Sequence, residues 1–221
     1  MKYLALLLVL IILIPSILTA QVKLNEVLYS TENDSIEVKN FGTTAVDVST
    51  WWLCTDFNYH QISTLTVISG DPANIPPGGI LALSGKSLNN TTADLGLYTD
   101  VGGNFGNFGV ASFLEDYVQW GSAGEERESV AVAKGIWTAG DFVNTVVSGH
   151  SIEYDGEGNS SSDWFDPANP TIGAENGVLT SVGFVLTVLH NNDAESQLIN
   201  AGSGLEDFGG VARFKTLVDT P

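Results

Sequence analysis

Two groups of oxygen-bearing side chains are spaced in ways that could do chemistry. In Asp155-Gly156-Glu157-Gly158-Asn159-Ser160-Ser161-Ser162-Asp163, the side chains of Asp155, Glu157 and Asn159 fall at alternate positions, as the ligands of a calcium loop do. Asp166 stands where the closing carboxylate of such a loop belongs, and Ser160 stands where the loop needs glycine. A flexible acidic hairpin loop accounts for the same residues. The second group is His190, Asn191, Asn192, Asp193 and Glu195. Asp193 and Glu195 offer two carboxylates to a divalent ion, with the His190 imidazole alongside. The plainer alternative is that Asp193 caps a turn and His190 packs.

The second group has a clear setting. Phe184 to Leu189 is a short apolar run rich in β-branched and bulky residues, as in a strand buried on both faces. It leads directly into the polar cluster, and ligands of open α/β sheets bind just outside the carboxyl ends of strands. Gly209-Gly210 then makes a turn, and apolar residues at 211, 214, 217 and 218 make one face of a helix. Leu189-His190-Asn191-Asn192-Asp193 and Gly209-Gly210-Val211-Ala212-Arg213 resemble the opening of the calcineurin-like metallophosphoesterases, in their secreted 5′-nucleotidase branch. That resemblance implies that Asp193 is a ligand of a two-metal centre. It also implies that Glu195 stands where the family has a histidine ligand, a change that favours oxygen-preferring ions over zinc. A two-metal site draws ligands from several strand ends, and residues 183–221 supply only the first strand. The expectation is a fragment of a phosphoric ester hydrolase ending at Pro221 and inactive by itself, with manganese, magnesium, calcium or zinc serving the intact parent.

From Val22 to about Gly177 the chain is a succession of short strand-like runs. Val22–Tyr29 is followed by turn residues at Thr31–Asp34, and Ser35–Lys39 alternates apolar and charged as a strand with one wet face does. Val46 and Val48 alternate again, Thr50–Phe57 reads as an aromatic-rich strand, and Pro76-Pro77-Gly78-Gly79 leads into Ile80–Leu83. A glycine-rich stretch from 102 to 109 precedes Val110–Leu114 and Asp116–Gly121. With no long amphipathic helix in the pattern, the expected fold is mainly β, a sandwich or barrel.

The order of these pieces is similar to that of a lamin-tail domain. It runs through Leu24-Asn25-Glu26-Val27, Asp34–Gly42, Val46–Trp51, Ile75–Gly79, Asp116–Gly121, Trp164-Phe165-Asp166-Pro167 and Pro170–Asn176, with Ile172-Gly173 in place of the usual Pro-Gly. The resemblance implies an immunoglobulin-like β-sandwich over 21–177, not itself an enzyme, of the kind that accompanies exported hydrolases, nucleases and adhesins. Tryptophans 51, 52, 120, 137 and 164 suit core and rim positions in such a sandwich. Residues 175–181 are then the junction with the phosphoesterase-like segment.

Residues 1–20 read as a secretory signal peptide: Lys2, an apolar run from Leu4 to Ile14, and Thr19-Ala20 before the cut. The apolar run is too short for a comfortable membrane span, so a secreted or cell-surface product starting at Gln21 is expected. The formal charge of −18 disfavours nucleic acid and anionic membrane as partners. Cys54 is the only cysteine, which excludes an internal disulfide and suits a small buried side chain. The competing functional reading is a non-enzymatic adhesion or cell-surface binding module.

Overall fold

The computed structural model describes residues 22–177. Two antiparallel sheets enclose one core. Strands β1 (Val22–Leu28), β2 (Ser35–Asn40), β5 (Thr66–Ser69), β6 (Ile80–Ser84), β9 (Ile152–Tyr154) and β10 (Trp164–Phe165) form a six-stranded sheet in the order β10-β9-β1-β2-β6-β5. Strands β3 (Trp52–Thr55), β4 (Asn58–Gln61), β7 (Ala93–Tyr98) and β8 (Leu114–Trp120) form the other, in the order β4-β3-β7-β8. The described residues are thus mainly β, as the alternating runs imply, with one short helix, α1 (Glu128–Lys134).

Period-two alternation explains which side chains meet between the sheets. Ile36 and Val38 of β2, Leu81 and Leu83 of β6, and Leu95 and Leu97 of β7 are buried in one cluster. In β1 the register shifts between Leu24 and Glu26, a bulge at Asn25. The bulge adds one residue, so Val22 and Leu24 before it and Val27 after it all join the core, while Asn25 and Glu26 share the other face. A second bulge, between Val67 and Ser69, interrupts the pairing of β5 with β6.

Aromatic rings close the sandwich. Tyr29 stacks on Trp120 with centroids 4.5 Å apart, and the Trp120 indole donates to the Asn89 carbonyl at 2.9 Å. Trp137 and Trp164 are buried, and Trp51 and Trp52 are half-buried against the cluster. The sequence pattern overextended some strands. Thr50–Phe57 shortens to β3 because Asp56 and Phe57 both turn into the left-handed region, with φ of 47° and 58°. Val46 contributes only an isolated bridge to Ile75. The helix α1 escaped notice because it is two turns long; Gly135, at φ 80°, ends it.

Candidate functional site

The acidic loop joins β9 to β10 as a hairpin, and its oxygens are turned onto protein donors. Asp155 accepts from the Glu157 amide at 2.8 Å, an Asx turn. Lys23 Nζ donates to the Gly158 carbonyl at 3.2 Å, to Asn159 Oδ1 at 3.3 Å and to the Tyr154 hydroxyl at 2.8 Å. Asp163 Oδ2 accepts from the Ser160 amide at 2.7 Å, and a Cβ on Gly158 would lie 2.2 Å from that same oxygen. Asp166 pairs instead with His150 Nδ1 at 2.7 Å. Among the described residues, no group of three or more His, Cys, Asp or Glu side chains gathers to hold a metal. A cleft of about 320 Å³ opens beside the hairpin, lined by Lys39, Phe41, Tyr154 and Glu175 among others. Lys39 pairs with Glu175 and lies over the Phe41 ring.

The wet face expected of β2 is in fact covered. Glu153, Glu26 and Glu37 stand side by side on β9, β1 and β2 as direct register partners, and all three are fully buried. The chain after β10 crosses over them and supplies their hydrogen bonds. The Thr171 amide donates to Glu26 Oε1 at 2.9 Å, the Gly173 amide to Glu37 Oε2 at 2.7 Å, and the Gly177 amide to Glu153 Oε2 at 2.8 Å. Asn25 Nδ2 donates to Glu37 Oε1 at 2.6 Å and to Asn176 Oδ1 at 2.7 Å. Burial pushes the Glu37 carboxyl up to about 7 despite its donors, with Glu26 and Glu153 adding repulsion. Burial likewise pushes Glu153 up to about 7, with repulsion from Glu26 added. Asn25 and Glu26 of β1, Glu37 of β2, Glu153 of β9 and residues 171–177 make this contact.

Two further acids are interior fasteners. Asp94 accepts from the Arg127 amide at 2.7 Å and the Asp56 amide at 3.2 Å. Asp116 reaches across to β1. Burial raises each to about 6. Cys54 is buried, and desolvation pushes its thiol up to about 12, which favours the protonated form.

The outer face of the β3–β4 hairpin is different in kind. Phe57 is 48% exposed at the hairpin tip and Phe105 is 55% exposed beside it. Trp52 and Phe105 meet edge to face, as do Tyr59 and Phe105, and Tyr59 stacks on Phe108. The Arg127 guanidinium lies 4.7 Å over the Phe57 ring and donates to the Tyr59 hydroxyl at 2.5 Å. Sequence reasoning placed Trp52 in the sandwich but did not find this face. The available signal was Asp56-Phe57 between two runs, where a tight hairpin ordinarily carries Asn-Gly or Asp-Gly.

His190, Asp193 and Glu195 lie outside the described residues. Among the described residues, no helix is long and apolar enough to cross a membrane. The chain matches no family model, no curated protein and no solved structure.

Proposed function

We propose that residues 22–177 are a non-catalytic binding module of the lamin-tail, immunoglobulin-like type, and that the exported chain joins it to a metallophosphoesterase-like segment. The module holds the hydrolase at an extracellular or cell-surface partner through the aromatic face of its β3–β4 hairpin. One observation carries this reading. Phe57 keeps a left-handed backbone conformation, costly for a bulky residue by about 1–3 kcal/mol, while its ring stands in solvent with Arg127 over it. The Arg127 contact is the packing that strain brings, and half-exposed aromatics beside arginine are the residues on which binding surfaces concentrate their energy. The order of motifs from Leu24 to Asn176 supports the family. Leu189–Asp193 and Gly209–Arg213 support the phosphoesterase-like continuation.

The reading is tested by cosedimentation of the chain with cell envelopes isolated from its source organism, wild type against Phe57→Gly and Phe105→Ser. Phe57→Gly relieves the backbone, so it is expected to fold at least as stably while binding at least about tenfold more weakly. Undiminished binding by both variants overturns the assigned face. Manganese-dependent hydrolysis of p-nitrophenyl phosphate that is unaffected by Asp193→Ala would overturn the phosphoesterase-like reading.

A further inference from the structure

The glutamate row contains a hydrogen-bond conflict that only a retained proton resolves. Thr171 Oγ1 lies 3.0 Å from Glu26 Oε2 and 2.9 Å from Glu153 Oε1. A threonine hydroxyl carries one hydrogen, so a full two-centre hydrogen bond reaches only one of them. The remaining oxygen pair needs a hydrogen of its own, and only the carboxyl can bring it. The other oxygen of each acid already accepts a backbone N–H, from Thr171 on Glu26 and from Gly177 on Glu153. Glu37 is different, because both of its oxygens accept, from Asn25 and Gly173.

The segment that makes these contacts runs across the sheet. Register places Glu153, Glu26, Glu37, Ala82 and Ser69 in one line over β9, β1, β2, β6 and β5. Thr171 sits over the Glu26–Glu153 pair, and a Cβ on Gly173 would lie 3.0 Å from Ser69 Oγ at the far end. We propose that Thr171–Gly177 is a proton-retaining clasp, closed on the sheet while one proton is held at the Thr171 hydroxyl between Glu26 and Glu153, and loosened when that proton leaves.

The charges around the pair agree. Glu37 on β2 is a third carboxylate in the line; Lys39 of β2 is engaged by Glu175 of the clasp itself, and its register partner Lys23 of β1 donates to the Tyr154 hydroxyl, the Gly158 carbonyl and Asn159. The register partners on β10 and β6, Phe165 and Ala82, carry no charge. Deprotonating the pair therefore puts two adjacent buried carboxylates together with no free cation between them. Burial and Glu26 already push Glu153 up to about 7 from 4.5. The sign follows: the clasp is fully closed below about pH 4.5 and gives way as pH rises through about 7.

Amide hydrogen exchange of the full chain between pH 5.5 and 8.5, corrected for intrinsic exchange rates, tests this. Protection of the 169–177 peptide is expected to fall at least tenfold while β7 and β8 hold theirs. Glu153→Gln and Glu26→Gln each supply a permanent N–H to the Thr171 hydroxyl and keep an oxygen for the backbone donor. Either variant is expected to abolish the pH dependence with the clasp closed at pH 8.5. A wild-type peptide whose protection does not change, a loss shared equally by β7 and β8, or a tenfold fall persisting in both isosteric variants would each overturn the proposal.

Discussion

Asp116 on β8 accepts the backbone N–H of Leu24 on β1 at 2.8 Å, so one carboxylate ties the two sheets together through the interior. The tie falls at the residue where the β1 register begins to shift.

Removing that acceptor is expected to cost stability without disturbing the hairpin face. Asp116→Ala leaves the Leu24 amide buried and unpaired, a loss of about 1–3 kcal/mol. Asp116→Asn keeps an acceptor oxygen and is expected to lose less. Urea unfolding of both variants against wild type measures the difference, and equal midpoints for all three would show that the tie contributes nothing.

Stability is expected to fall as pH rises from about 5 to 8, the reverse of the usual acid-labile behaviour. Burial raises Asp94 and Asp116 from 3.8 to about 6, and Glu37 and Glu153 from 4.5 to about 7. A raised acid holds its proton better folded than unfolded. Its contribution is complete below its ordinary value and is lost as pH passes its folded value. Glu128, held low by its donors, is ionised throughout this window. His60, lowered by burial, acts in the opposite sense, against these four acids and against Asp34 and Asp56, which burial also raises. A urea midpoint that climbs between pH 5.5 and 8 would contradict these assignments.

Calcium is expected to leave the described domain unchanged. Lys23 already donates to Gly158 and Asn159, and Asp155 is engaged by the Glu157 amide, so an ion would have to displace these contacts. At about 10 mM calcium the thermal midpoint is expected to move by less than about 1 °C. A larger rise, lost in Asp155→Ala, would support the calcium-loop reading of Asp155, Glu157 and Asn159.

Much of the fold was legible because it is local. Val22–Leu28 and Ile80–Ser84 follow from apolar alternation and turn residues within a few positions of them. The strands β5 and β7 were harder. Val67 and Ile68 of β5 are exposed, and β7 holds Asp94 and Gly96 among its apolar residues, so neither gives a clean period. The glutamate row was invisible for a different reason. Glu37 looks solvent-facing beside Ile36 and Val38, and only a segment about 135 residues later covers it, which no window of sequence can report. Phe57 was read as the end of a strand because its identity argues for one, while its backbone obeys the turn.

The bulge in β5 also bears on how many chains can share one sheet. β5 is the outermost strand of the six, and its exposed Val67 and Ile68 would suit pairing with another molecule. The extra residue between Val67 and Ser69 breaks the even ladder that an incoming strand needs, so the sheet cannot template its own extension. One extra residue in an outer strand thus keeps a domain with an apolar border from polymerising along its own edge.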